Sequence, residues 1–298
     1  MNFIMFIGPS GCGKSTCAKG IADLYGFDIH SSDAIRGALW GDENDQRNPD
    51  EVFAELHKRV RSSLSNGKSV VYDATNLSAK RRRNYLKTLK EWEAAHNIKV
   101  HHQAIVVVAA LETCWVNNHQ RDRHVRSSVI EKHFKQIQLP WYNEGWDEIK
   151  YVINSKEITW GEILHYLDIP HDNKHHPNDV LAHSLKVGAA LGEPYSDGWK
   201  LGALHDLGKP MTKTWKKANG EDDGNAHYYN HHYVGAYMSL LVDSGIGMDK
   251  YRRAMAIQYH MEPHFRDEEA LSKFYEGLND EVLVQMIKTL HEADKNNP

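Results

Sequence analysis

The stretch from Phe3 to Thr16 constrains this chain more than any other. Phe3-Ile4-Met5-Phe6-Ile7 is a short apolar run that reads as a strand buried on both faces. It passes directly into Gly8-Pro9-Ser10-Gly11-Cys12-Gly13-Lys14-Ser15-Thr16, and an amphipathic segment with Cys17, Ile21 and Leu24 at helical spacing follows. Strand, glycine-rich turn and helix in that order fit the G-x-x-x-x-G-K-[ST] loop. Glycines let the backbone wrap a phosphate, and the amides converge where the helix dipole favours an anion. Gly8, Ser10, Gly11, Cys12, Gly13, Lys14, Ser15 and Thr16 are therefore the expected nucleotide-binding residues. Lys14 would reach the β- and γ-phosphates of ATP or another NTP, and the Ser15 hydroxyl would hold Mg²⁺. The plainer alternative is a strand–helix turn that binds nothing.

Short apolar strands recur at Phe27–Ile29, Ser69–Tyr72 and Val100–Val108, and Val52, Phe53, Leu56, Val60 and Leu64 keep helical spacing. Strands alternating with helices predict an α/β domain with a parallel sheet and flanking helices. In such sheets, ligands sit beyond the carboxyl ends of the strands. The second strand is followed by His30-Ser31-Ser32-Asp33-Ala34-Ile35-Arg36. Asp33 is placed there to take a proton from an attacking hydroxyl. Arg36, one helical turn on, can face the same cleft. Asp33 suits the N-cap of a helix equally well, and the two roles stay open. The third strand ends at Tyr72-Asp73-Ala74-Thr75-Asn76, where Asp73 can hold an acceptor or join the shell of a metal. Lys80-Arg81-Arg82-Arg83 reads mostly as a solvated basic face. Asn118-His119-Gln120-Arg121-Asp122-Arg123-His124-Val125-Arg126 can be a mobile lid whose arginines neutralise a transferring phosphoryl group, or a solvated charge cluster.

Together, Gly8–Thr16, Ser31-Ser32-Asp33 with Arg36, Asp42-Glu43-Asn44-Asp45-Gln46, Asp73-Ala74-Thr75-Asn76 and the arginine-rich stretch resemble the kinase domain of the polynucleotide kinase family, known from bacteriophage and bacterial RNA-repair enzymes. That resemblance implies Asp33 as general base for a 5′-hydroxyl and Arg36 as a contact to the acceptor end. It places Asp73 and Asn76 on the acceptor side. It gives a lid arginine, Arg121 or Arg123, to the nucleotide phosphates.

The second half differs. From about Asn154 the strand pattern stops and helical rows take over, with Leu181, Leu185 and Ala189, and later Val282, Met286 and Leu290. Pro170 and the polar run 171–178 look like the loop entering a new domain. The expected division is residues 1–155 and 165–298. Of 20 histidines, 12 lie at or after His165, dispersed among apolar and acidic positions, and this invites a metal-site reading. His183, His205, Asp206, His231, His260 and Asp294 stand out. Imidazole and carboxylate together suit a borderline or hard divalent ion. A lone His beside Asp in an apolar helix is more often a satisfied core pair, and it is the repetition along the chain that favours a metal site.

His176 with Asp179-Val180 and His183, then His205-Asp206-Leu207-Gly208-Lys209-Pro210, His231 before Gly235-Ala236, His260, and His291-Glu292-Ala293-Asp294 resemble the HD phosphohydrolase superfamily. The resemblance implies an all-α domain. It implies a first metal on His183, His205, Asp206 and Asp294, and a second on His231 and His260. Lys209 would contact substrate phosphate. One or two divalent transition metals (Mn, Ni, Co or Fe) are the implied cofactors. Fused kinase–HD repair proteins place the HD domain first; here the order is reversed.

The formal net charge of −4 confines any nucleic-acid contact to local patches. Three cysteines, Cys12, Cys17 and Cys114, argue against a disulfide framework and for a reducing compartment. No apolar run reaches membrane length, so a cytoplasmic protein without membrane contact is expected. The expected activity is the healing of RNA, or DNA, ends: phosphorylation of a 5′-OH and hydrolysis of a 3′-end phosphoester, a 2′,3′-cyclic phosphate above all. The nearest approach to a K-x-D-G ligase signature, Lys217-Ala218-Asn219-Gly220, lacks the acid, so a separate RNA ligase is the expected partner. A small-molecule kinase, for a nucleoside or sugar, fused to an HD nucleotide phosphohydrolase is the alternative. A P-loop switch whose second half binds a signalling nucleotide without turnover is a third reading, weakened by the lack of a guanine-reading N-K-x-D motif.

Overall fold

Asn2–Ile7 (β1) is apolar from Phe3 onward because it is the middle strand of a parallel sheet, buried on both faces. The computed structural model describes residues 1–43, 45, 47–121, 124–173, 178–243 and 247–298. The chain divides into two compact units: Met1–Ile130 with Pro140–Asn154, and Glu131–Leu139 with Ser155–Pro298.

In the first unit, β1 is followed by α1 (Lys14–Tyr25), β2 (Asp28–Ser31), α2 (Ser32–Trp40), α3 (Pro49–Ser65), β3 (Val70–Asp73), α4 (Ala79–Ala95), β4 (His101–Val108) and α5 (Leu111–His119). Helix α6 (Ser127–Gln136) comes next, and β5 (Glu148–Ile153) closes the sheet. The five strands are parallel in the order β2-β3-β1-β4-β5. Register decides what meets at the carboxyl edge. Phe6 pairs with Asp73, and Asp73 with Ser31, so the loop after β1, the acid ending β3 and the start of α2 lie side by side. The crevice at that edge is where open α/β sheets bind ligands.

The second unit contains α7 (Trp160–Leu167), α8 (Val180–Leu191), α9 (Asp197–Leu204) and α10 (Lys209–Thr212). A hairpin of β6 (Thr214–Lys216) and β7 (Asp222–His227) follows, then α11 (His231–Ser239), α12 (Met248–Tyr259), α13 (Glu262–Phe265), α14 (Glu268–Leu278) and α15 (Glu281–Asn296). Two sequence expectations need correction. An all-α second half did not allow for the hairpin, whose short, polar strands carry no apolar alternation. The division at residues 155–165 missed that Glu131–Leu139 groups with the second unit. Long-range contacts put it there: Phe134 meets Tyr237 edge to face at 5.4 Å. The Gln258 side chain accepts from the Leu139 amide at 2.6 Å and donates to its carbonyl at 3.0 Å. Among the described residues no helix is long and apolar enough to cross a membrane.

Two candidate active sites

The glycine-rich loop of the first unit is held open by contacts to its carbonyls. Asn117 Nδ2 donates to Gly11 O at 2.8 Å, and Asn154 Nδ2 donates to Cys12 O at 2.9 Å. Gly11 has φ +84, and a Cβ there would stand 2.2 Å from Cys114 O, so only glycine fits. Lys14 opens α1; it is buried and donates to Pro9 O at 2.7 Å across its own loop. Ser15 and Thr16 are exposed.

Four of the expected residues act on one carboxyl, that of Asp73. Burial pushes the Asp73 pKa up; Lys14 and a hydrogen bond from Ser15 pull it down, Asp33 adds to the rise and Arg121 opposes it. Ser31 is the N-cap of α2, accepting from the Asp33 amide at 3.2 Å. Asp33 is therefore not the cap. Its half-exposed carboxylate is paired with Arg36 at 2.5 Å. Arg36 is 8% exposed, and its Nε is buried with no hydrogen-bond partner. A buried, unsatisfied guanidinium N–H suits an anionic ligand. Arg121 is exposed, and its amide donates to Asn118 O at 3.4 Å. The Asn118 side chain donates to Val125 O and accepts from the Val125 amide. Arg123 lies outside the described residues.

Asn76 departs from its expected role. It takes φ +50, and its Nδ2 donates to Phe6 O at 2.7 Å, so its amide nitrogen ties strand ends together. Arg82, read as part of a basic face, is 2% exposed. It forms a two-pronged pair with Glu144 at 2.8 and 2.6 Å and donates to Asn76 O at 2.8 Å. Trp146 also donates to Glu144, at 3.0 Å.

In the second unit six side chains from five places in the chain meet: His183 on α8, His205 and Asp206 just after α9, His231 opening α11, His260 just after α12, and Asp294 on α15. Gly208 permits the meeting, since a Cβ there would lie 2.0 Å from His231 O. One candidate metal group is His183, His205 and Asp294; the other is Asp206, His231 and His260; within each, ligand atoms lie within 4.8 Å of one another. The sequence-level grouping put Asp206 with the first metal; the geometry gives it to the second group as well as the first. Its Oδ2 is 3.4 Å from His183 Nε2 and 3.2 Å from His205 Nε2, and its Oδ1 is 3.5 Å from His231 Nε2. Asp294 Oδ1 reaches His183 at 3.0 Å and His205 at 3.5 Å.

The outer ring nitrogens set the tautomers. Nδ1 of His183, His205, His231 and His260 lies 2.9, 2.7, 2.8 and 2.7 Å from the carbonyls of Asn297, Gly202, Tyr228 and Ile257. A carbonyl only accepts, so each Nδ1 carries a proton and each Nε2 turns inward, as in histidines that ligate metal. Burial alone would strip His205 of a second proton, but Asp206 and Asp294 outweigh it and push the ring up to about 10. His231 is pushed down by burial to about 4, and His260 by burial and its imidazole neighbours to about 3. Against burial, His205 and Lys209 hold Asp206 well below the carboxylate range, and His183 and His205 do the same for Asp294. A buried set of four inward nitrogens and two ionised carboxylates fits one or two divalent cations. Lys209 Nζ stands 2.6 Å from Asp206 Oδ2, an ion pair without hydrogen-bond geometry, since that oxygen has no hydrogen-bond donor.

Residues 3–139 match the AAA domain family model. That match covers the P-loop portion, which has a parallel sheet with flanking helices and the nucleotide-binding loop in place. No curated protein matches the sequence. Among solved structures, the chain is similar to a sugar kinase from Janibacter sp. HTCC2649, at 18% identity and TM-score 0.37 over 52% of this chain and 85% of that one. It is similar to a fungal RNA kinase at 17% identity and TM-score 0.40, over 52% of this chain and 39% of that one. It is also similar to a chain of the Pnkp1/Rnl/Hen1 RNA repair complex at 23% identity and TM-score 0.37, over 45% of this chain and 43% of that one.

Sequence reasoning missed several positions that build the sites. Asn117 and Asn154 each act through a single amide on distant backbone, and no local spacing marks them. His171 was read only as the start of an entering loop. It is 2% exposed, and its Nε2 is 3.0 Å from Lys209 Nζ.

Proposed function

We propose that this chain is a bifunctional nucleic-acid end-healing enzyme: an ATP-dependent 5′-hydroxyl kinase in the first unit and a metal-dependent phosphohydrolase of the HD type in the second. The observation that carries the kinase half is the convergence of Lys14, Ser15, Asp33 and Arg121 on Asp73, with Arg36 paired to Asp33. Asp33 accepts the proton of the 5′-hydroxyl as its oxygen attacks the γ-phosphorus and the bond to the β–γ bridging oxygen breaks, releasing ADP. Lys14 and Arg121 neutralise the charge on the transferring group. Arg36 orients the Asp33 carboxylate and offers its remaining donors to an acceptor phosphate. Ser15 and Asp73 are the side chains placed for Mg²⁺, which supplies further charge neutralisation when bound.

The second half rests on the four inward Nε2 atoms and the two carboxylates. His183, His205, Asp206, Asp294, His231 and His260 would hold one or two divalent cations, which would supply water activation and charge neutralisation at a substrate phosphate. Lys209 binds a phosphate oxygen of the substrate, a 2′,3′-cyclic end being the favoured one. Both reactions act on the ends of a single break, one 5′-OH and one cyclic phosphate, and a separate RNA ligase would complete the repair.

The test uses a short RNA with a 5′-OH and a 2′,3′-cyclic phosphate, labelled ATP, Mg²⁺, and Mn²⁺ or Ni²⁺ in turn. Asp33→Asn should cut 5′ transfer by about 10²–10⁴-fold and spare the 3′ reaction, and Asp206→Asn should do the reverse. Transfer to a free nucleoside or sugar but not to the RNA would replace the first half of this reading with the small-molecule kinase alternative.

A further inference from the structure

Lys209 stands between two partners of unlike character. Its ammonium is 2.6 Å from Asp206 Oδ2 and 3.0 Å from His171 Nε2. His171 Nδ1 lies 2.7 Å from Asn178 O. An ammonium only donates and a carbonyl only accepts, so both ring positions are assigned: Nδ1 carries the proton and Nε2 accepts from Lys209. This is one fixed tautomer of a buried, loop-borne histidine. The backbone on either side of His171 is secured as well. Lys213 Nζ donates to Pro170 O at 2.6 Å and pairs with Asp172 at 2.7 Å, and the Ala226 amide donates to Asp172 O at 2.9 Å. The Tyr228 hydroxyl donates to His171 O, and the Tyr228 ring lies 5.5 Å from the Lys209 ammonium.

We propose that His171 is a positioning residue for Lys209, fixing its ammonium as the cation that receives a phosphate oxygen of the substrate. The inference rests on the phosphohydrolase reading above. Asp206 is one of the metal-ligand groups, so a bound cation draws on the carboxylate that also holds Lys209. His171 is a neutral acceptor outside that ligand set, and it keeps its hold on Lys209 when Asp206 turns to a metal. With one donor directed by His171 and the ammonium drawn to Asp206 by charge, the remaining donors have a set direction. Without His171, the lysine keeps its charge and loses its aim.

The experiment compares the full-length wild type with His171→Gln, which keeps an acceptor near Nε2, and His171→Phe, which keeps the ring and removes the acceptor. In the metal-free protein, ¹⁵N NMR should find His171 as the Nδ1–H tautomer, with an Nε2 resonance that moves in Lys209→Met. With Mn²⁺ bound, His171→Phe should weaken inorganic phosphate binding and raise KM for a cyclic phosphate about tenfold, the effect of one lost charge-assisted hydrogen bond. Its kcat and metal content should hold. His171→Gln should stay within about twofold of wild type by the same measure, and thermal melts check that both variants fold. An Nε2–H tautomer, or equal losses in the Gln and Phe variants, would overturn the proposal. A wild type with the expected tautomer that hydrolyses no phosphoester would overturn the phosphohydrolase reading, leaving phosphate affinity to decide the role of His171.

Discussion

His183 Nε2 and His205 Nε2 face each other at 3.3 Å, each with its Nδ1 turned outward to a backbone carbonyl. His231 and His260 repeat the arrangement at 3.3 Å. Two lone pairs at that distance repel unless a proton or a cation lies between them. In the first pair, the ionised Asp206 and Asp294 favour a proton on His205. The site thus holds in a proton the charge that a metal ion can replace.

Metal uptake should therefore release a proton. His205 is raised to about 10, above the ordinary histidine value, so in the metal-free protein its extra proton is kept at pH 7 and lost only as pH rises through about 10. A ligand nitrogen must be unprotonated. Apparent affinity for Mn²⁺ or Ni²⁺ should rise about tenfold per pH unit between about pH 7 and 9. Titration calorimetry in two buffers of different ionisation enthalpy should give close to one proton released. No buffer dependence at pH 7.5 would contradict the charge assignment.

Gly208→Ala should lose metal without altering a ligand side chain. The added carbon would lie 2.0 Å from His231 O and 2.7 Å from Gly235 N, both backbone atoms that cannot swing aside. The turn after α9 must then move off α11, separating Asp206 from His231. A small-to-large change of this kind costs about 1–3 kcal/mol in a packed interior. Metal analysis should show at least the His231 group emptied; two ions retained with an unshifted melting temperature would refute it.

Much of this was legible in the sequence, for local reasons. Gly8 to Thr16 bends backbone around a phosphate by itself, and β1 announced itself because a central parallel strand is apolar on both faces. His183, the adjacent pair His205-Asp206, His231, His260 and Asp294 were legible only as a repetition, since they come from five separate places in the chain and nothing local says those places meet. What escaped was long-range and singular. Asn154 reaches Cys12 O, Gln258 reaches Leu139, and Glu144 reaches Arg82, each through one side chain carrying no period. Arg82 was misread for the same reason: its neighbours Arg81 and Arg83 are exposed, and only the distant Glu144 draws it inside.

That buried pair gives a stability prediction. Arg82 and Glu144 are 1% and 3% exposed in their side chains. Removing one charge leaves the other buried without a counter-ion, which costs about 3–5 kcal/mol. Glu144→Gln should therefore destabilise the first unit strongly, and it should loosen Asn76, whose carbonyl accepts from Arg82. Denaturant unfolding measures it, and a loss under about 1 kcal/mol would mean that the pair is solvated.

His57 gives the first unit an acid sensitivity of calculable sign. Its ring stacks on Tyr85 at a centroid distance of 3.8 Å, and its Nε2 lies 3.2 Å from the Tyr72 hydroxyl. Burial, helped by the positive charge of Arg61, lowers its pKa to about 4. In the unfolded chain the ring titrates near 6.5. Between those values the unfolded state binds the proton and the folded state does not, so the contribution of His57 to stability is full above about pH 6.5 and falls as pH drops toward 4. His57→Phe keeps a ring on Tyr85 and has no proton to take up. The stability difference between wild type and variant, measured by denaturant unfolding at pH 7.5, 6 and 5, should shift in favour of the variant with each step down. A difference that does not change with pH would show that the ring titrates in the folded protein as it does in water.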